Sequence, residues 1–197
     1  TTQYFKKTSP TNLDHTVDYS FSAWIQTTST GVNYIYSKDG ASDYGIFLRL
    51  NTGRAEAFIY QNNGSHTEYM SKLSAKTVND GKWHRVGFTY DDAPTPTLTV
   101  YVDGYADGVS TITSGTKDSG AGAIAVGVHH IVIGYFNGSI RDVAVWTSLL
   151  TSANMLTLAT TPLSESGLSP ASWWSFTDAA SNTTINDDAT VGNNNDL

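Results

Sequence analysis

The chain has 197 residues, 39% hydrophobic and 12% aromatic, with a formal net charge of −7, a length that suits one domain with a substantial core and falls short of two ordinary ones. The charge excludes a nucleic-acid partner, which needs a basic stripe to neutralise phosphates; the eleven Lys and Arg are scattered, and only Lys6 and Lys7 adjoin. The absence of Cys removes disulfides, thiolate catalysis and thiolate metal sites together. No apolar run reaches the roughly 18 to 20 residues of a membrane span, so no membrane insertion is expected, and no secretory leader is visible. Because the sequence begins at Thr1, we expect a processed chain or one cut from something longer. With 17 Gly, and Glu only at Glu56, Glu68 and Glu165, the composition disfavours helix and suits strands joined by Gly- and Asn-rich turns.

Period-two alternation recurs along the chain. In "YSFSAWIQT", Phe21, Ala23 and Ile25 share one face and Ser22, Trp24 and Gln26 the other. In "DYGIFLRLN", Ile46, Leu48 and Leu50 alternate with Phe47 and Arg49, and Asn51-Thr52-Gly53 turns the chain into "RAEAFIYQNNG", which predicts a hairpin. "GKWHRVGFTYDD" puts Val86, Phe88 and Tyr90 on one face; Trp83 is expected to pack in the core and His84 on the opposite face. After two prolines that forbid ladder pairing, "LTVYVDG" aligns Leu98, Val100 and Val102, and Asp103-Gly104 makes the next turn. Residues Ser110 to Val128 read as a surface loop with one weak strand, and "IVIGYF" and "SIRDVAVW" as two further strands. Thr151 caps one short predicted helix, "TSANMLTLA". Ten or more short antiparallel strands imply an all-β, two-sheet jelly-roll sandwich with one short helix.

Three stretches, "YSFSAWIQ", "NDGKWHRVGFTYDD…LTVYVDG" and "IVIGYFNGSIRDVAVWTSLLTSANMLTL", resemble in order and spacing the laminin-G-like branch of the concanavalin A-like lectin and glucanase superfamily. The resemblance covers about residues 19 to 160 and implies the concanavalin A-like jelly roll, with residues 1–161 as its body. Residues 162–197 resemble the opening strand and polar loop of such a module, and we expect "WWSF" to pair in the chain's own sheet, since an exposed edge of that composition invites aggregation. At the late strand, where the family commonly has Ile-Asp-Glu, this chain reads Ile140-Arg141-Asp142, a cation in place of a carboxylate.

Catalysis is not expected. Glucanases of the superfamily carry a Glu-x-Asp-x-x-Glu strand, and glycoside hydrolysis generally needs two carboxyls at a defined separation; no such strand is present, nor a Gly-x-Ser-x-Gly elbow. Sugar recognition uses aromatic rings flanked by amide, carboxylate and guanidinium groups. Two stretches supply them around predicted turns: Tyr34, Tyr36, Asp39, Asp43 and Tyr44 in one, Tyr60, Asn62, Asn63, His66 and Tyr69 in the other. Calcium takes six to eight oxygen ligands, and the densest supply is Asp178, Asp187, Asp188, Asn193, Asn195 and Asp196 in the segment that resembles the family's opening loop. The resulting expectation is a non-catalytic extracellular, cell-surface or virion-surface module that binds a glycan or surface polysaccharide, with a structural Ca²⁺. The alternative is a structural module of a virion, fibre or surface layer that meets identical neighbouring modules.

Overall fold

The computed structural model describes residues 4–8, 10, 13, 18–38, 45–60, 69–111, 122–129 and 131–176. In chain order its strands are β1 (Phe5–Lys7), β2 (Tyr19–Gln26), β3 (Asn33–Lys38), β4 (Ile46–Asn51), β5 (Arg54–Tyr60), β6 (Tyr69–Thr77), β7 (Trp83–Asp91), β8 (Thr97–Val102), β9 (Tyr105–Thr111), β10 (Ile124–Val126), β11 (Ser139–Trp146) and β12 (Ser172–Trp174). Helix α1 (Ser152–Thr160) and a 3-10 turn (Leu163–Glu165) lie between β11 and β12. The strands form two six-stranded sheets, ordered β1-β10-β3-β4-β5-β6 (sheet A) and β12-β11-β2-β7-β8-β9 (sheet B). Every pairing is antiparallel.

Alternation explains the layering. Phe21, Ala23 and Ile25 of β2 meet Val86, Phe88 and Val100 from β7 and β8 on the inner face of sheet B, and Ile46, Leu48, Leu50, Ala57 and Ile59 face them from sheet A. An apolar core fills the space between, and a polar contact crosses it: the hydroxyls of Tyr19 and Tyr36 are 2.6 Å apart and buried. The hairpins at Asn51-Thr52-Gly53 and Asp103-Gly104 form as expected, with Thr52 and Asp103 in the left-handed region. Strand β12 pairs with β11, so that Trp174 lies opposite Val143 in the core while Trp173 faces outward beside Ala144.

A second, smaller cluster sits on the outer face of sheet B, where α1 covers Tyr101, Ala144 and Trp146 with Met155 and Leu158. Thr151 begins the helix with a reciprocal cap: Asn154 N–H donates to Thr151 Oγ1 at 3.2 Å, and Thr151 N–H donates to Asn154 Oδ1 at 2.9 Å. Close approach depends on Gly87, where a Cβ would lie 2.4 Å from the Phe21 carbonyl oxygen and 2.7 Å from Met155 Cε.

Several expectations are corrected. "IVIGYF" is not a strand: Val132 has φ +64, and Ile131 and Ile133 are 56% and 52% exposed, because the segment is a turn whose backbone caps β3 through Tyr34 N–H to Gly134 O at 2.8 Å. Within the Ser110–Val128 stretch, β10 is fully buried and sits between β1 and β3 rather than at a surface. Trp83 does not pack in the sandwich: its register opposite Gln26 puts it on the outer face of sheet B. Tyr34 and Tyr36 belong to β3, not to a turn, and a bulge between them leaves Tyr34 outward opposite Arg49 and Tyr36 inward opposite Leu48.

The outer face of sheet B also holds a buried ion pair. Residues 141 to 144 of β11 span a register shift against β2, and Asp142 takes φ +52 there. The extra residue turns Asp142 outward beside Arg141. Its carboxylate then accepts from Arg85 Nη1 and from Trp173 Nε1, the latter at 2.6 Å. Arg85, 2% exposed, also donates from Nε to Ser22 Oγ at 2.7 Å. Burial pushes its guanidinium below the ordinary pKa, and the attraction and hydrogen bond of Asp142 oppose that fall. Removing one partner of a buried pair leaves an uncompensated charge. Asp142→Asn, which keeps a residue tolerant of positive φ, should therefore cost about 3 kcal/mol in urea unfolding. A double replacement with Arg85→Met should recover most of it.

Candidate functional site

The outer face of sheet A carries a continuous ring cluster. Cross-strand register places Tyr34 opposite Arg49, Arg49 opposite Glu56, and Phe47 opposite Phe58, with Tyr60 two residues further along the same face. Phe47 is only 2% exposed although it points away from the core. His129 stacks on it at 5.0 Å between ring centroids and 20° between planes, while Tyr34 and Tyr60 meet it edge-on at 6.0 and 6.1 Å. Phe58 and Tyr60 form a further edge-to-face pair at 4.7 Å. Tyr34, Phe58, Tyr60 and His129 stay partly exposed, so the cluster is a floor of buried phenyl with a rim of accessible rings.

Charge is built into that rim. The Arg49 guanidinium lies 5.1 Å from the Phe58 ring centroid and 5.9 Å from that of Tyr34, within cation–π range. Its Nε donates to Glu56 Oε2 at 2.6 Å, and Asn51 Nδ2 donates to the same oxygen at 3.1 Å. Burial opposes the charge on Arg49, but the hydrogen bonds and attraction of Glu56 and Tyr34 outweigh it and raise its pKa above the ordinary guanidinium value. Arg49 therefore stays charged beside Glu56 and packs against two rings, Tyr34 and Phe58. A surface of this kind offers stacking faces with hydroxyl, amide and carboxylate partners at the edge, which is the usual composition of a small-ligand site.

Of the ring residues predicted from sequence, Tyr34 and Tyr60 come together on this surface. Tyr36 does not join them: it is fully buried, bonded to Tyr19 and stacked on Phe21 at 4.5 Å, so its ring belongs to the core. Tyr69 pairs through its backbone with Tyr60 at the start of β6. Asp39, Asp43, Tyr44, Asn62, Asn63 and His66 lie outside the described residues. The strand ends that those two segments connect, Lys38 with Ile46 and Tyr60 with Tyr69, sit at one end of sheet A. The calcium candidates Asp178, Asp187, Asp188, Asn193, Asn195 and Asp196 are likewise outside the described residues, within which no group of three His, Cys, Asp or Glu is placed to hold an ion.

Phe47, Arg49, Glu56, Phe58 and His129 were not foreseen as site residues. Alternation carried the signal for two of them, since Phe47 and Phe58 fall on the solvent side of strands whose other side is fully apolar, and a large ring there calls for an explanation. His84, which the sequence singles out, is a structural clamp. Its Nδ1 lies 3.0 Å from Asp103 and its Nε2 3.0 Å from Asp80, so both ring nitrogens are occupied. The Asp80 carboxyl is held below its ordinary pKa, first by the Lys82 backbone N–H and then by His84.

Two antiparallel sheets closed on one core, with a short helix against one outer face and an aromatic surface on the other, define a jelly-roll β-sandwich of the lectin-like class. The chain belongs to the concanavalin A-like lectin/glucanases superfamily: a laminin-G-type family model matches residues 1–155. No curated protein sequence matches it. Among solved structures it is similar to a candidate carbohydrate-binding protein of Bacteroides ovatus (TM-score 0.70, 16% identity, covering 99% of this chain and 55% of that one). It also resembles domains LG4-5 of the mouse laminin alpha1 chain (TM-score 0.60, 16% identity, 77% and 41%) and the native heptameric SAP-like pentraxin of Limulus polyphemus (TM-score 0.58, 19% identity, 79% and 75%). The chain thus spans about half of the first two.

Arg49 can be tested apart from any ligand. Arg49→Ala removes the packing under Tyr34 and Phe58 and leaves the Glu56 carboxylate, in a residue 8% exposed, with Asn51 as its remaining donor among the described residues. Chemical denaturation should show a loss of about 1–3 kcal/mol; an unchanged midpoint would show that the pair does not organise the rings.

Proposed function

We propose that the protein is a non-catalytic extracellular module that binds a glycan or surface polysaccharide through the outer face of sheet A. The observation that carries this reading is the partly exposed ring set Tyr34, Phe58 and Tyr60 on one face, with Arg49 packed on the first two and Tyr60 at the strand end that leads into the polar segment 61–68. Aromatic faces stack on the C–H faces of a sugar ring, and edge polar groups bind its hydroxyls. The superfamily to which the chain belongs and the candidate carbohydrate-binding protein with the same fold support the reading. Glu56, the one carboxylate described within the ring cluster, is taken up by Arg49 and Asn51.

A glycan array, run with calcium and with chelator, is the direct test. A coherent sugar class should bind, and Phe58→Ala, which removes a partly exposed ring without opening the core, should weaken it about tenfold, the equivalent of about 1.4 kcal/mol. A blank array from folded protein, or unchanged affinity in the variant, would remove the sheet A surface from consideration.

Structural calcium belongs to the same proposal, held by Asp178, Asp187, Asp188, Asn193, Asn195 and Asp196. An ion that binds only the folded chain stabilises it by mass action. Millimolar calcium should raise Tm by several degrees and chelator should reverse the rise; equal melting curves would exclude a structural ion.

A second reading, assembly with identical neighbouring modules, is favoured by one feature. Tyr4, Val32, Ile131, Ile133 and Tyr135 are all 38% exposed or more, with Tyr4 and Tyr135 5.7 Å apart. Sedimentation that shows concentration-dependent oligomers, lost in Ile131→Ser with Ile133→Ser, would favour it; a monomer at all concentrations would not.

A further inference from the structure

Across the core from that surface, the outer face of sheet B contains a cavity of about 430 Å³ at the end of α1. Its walls are Trp24 and Trp173, with Arg141 and Asp142 on the sheet side and Thr161 and Ser164 on the side of the turn that follows the helix. Register explains how these groups meet. Arg141 of β11 and Arg85 of β7 flank Trp24 of β2 directly, so that two guanidinium carbons lie 5.9 and 5.8 Å from one indole centroid. The bulge at Asp142 brings its carboxylate to the same face, where Arg85 and Trp173 already occupy it.

The charge count at this cavity is uneven. Asp142 neutralises Arg85, which leaves Arg141 over. Arg141 is exposed, lies 4.2 Å from the Trp83 ring centroid and, among the described residues, has no carboxylate partner. A local net positive charge on a chain of −7 is a preference for an anion, and an exposed guanidinium packed over an indole ring has N–H groups for bidentate pairing with a carboxylate. Thr161 and Ser164, both in the cavity wall, have no side-chain hydrogen bond among the described residues. The volume falls in the small-ligand range of about 300–1,000 Å³.

We propose that this cavity binds a carboxylate-bearing sugar, a hexuronate, with Arg141 pairing its carboxylate, Trp24 and Trp173 against its ring, and Thr161 and Ser164 on its hydroxyls. The site is separate from the sheet A surface and does not depend on it. In the full chain, titration with sodium glucuronate at constant ionic strength should shift the indole N–H resonances of Trp24 and Trp173 in a ¹H–¹⁵N spectrum, with saturation. Glucose, the same ring without the carboxylate, should bind at least about tenfold more weakly, as should glucuronate to Arg141→Ala, since a charge-assisted pair is lost in each case. Phe58→Ala should leave the glucuronate titration unchanged. The proposal is overturned if no indole moves, if glucose matches glucuronate, if Arg141→Ala binds as the parent does, or if benzoate binds more tightly than glucuronate, which would make the cavity an aromatic-acid site. Loss of the shifts in Phe58→Ala would assign acid-sugar binding to sheet A instead. Arg141 is a surface residue, so its replacement leaves the core intact.

Discussion

A strand can bury only one of its faces without a second layer to cover the other, and this constraint organises the molecule. Both sheets spend their inner faces on one core, so each is left with an outer face that must be made tolerable in water. The two sheets solve this differently. Sheet B is part covered by α1 and part occupied by charged and indole side chains, and sheet A clusters its surplus rings around an ion pair. Among the described residues, both candidate sites lie on those two outer faces, because the inner ones are closed.

Sequence legibility follows the same division. The inner faces were readable: Phe21, Ala23 and Ile25, Val86, Phe88 and Tyr90, and Leu98, Val100 and Val102 all enter the core at the positions their alternation assigns. So were the Thr151 cap and both Gly-containing hairpins, where short-range chemistry decides the conformation. Strand β6 escaped notice because its pattern is weak; an edge strand buries little, and here Met70 and Ser74 are the buried members of a run that includes Lys72 and Lys76. "IVIGYF" misled in the opposite direction, since its apolar side chains are exposed in a turn where Val132 adopts a backbone conformation disfavoured for a β-branched residue.

The candidate sites were legible only in part, and for a clear reason. Tyr34 and Tyr60 stand 26 positions apart and meet because β3, β4 and β5 pair in one register; loops alone do not reveal that. Tyr36, two residues from Tyr34, goes to the core because of a bulge that no periodicity predicts. The bulge in β11 has a comparable effect on Arg141 and Asp142. In each case one inserted residue decides whether a side chain is structure or surface.

The Tyr19–Tyr36 contact imposes a limit of its own. Burial pushes the Tyr36 phenol well above its ordinary pKa, an effect the Tyr19 hydrogen bond only partly offsets, so the folded core holds this proton where an unfolded chain would release it. Its contribution to stability is complete below the unfolded phenol value of about 10 and declines as pH rises beyond that toward the folded value. The hydroxyl bridge that joins the two sheets is therefore also a point of alkaline sensitivity: a proton held at the centre of the sandwich ties both outer surfaces to the same pH-dependent loss of stability.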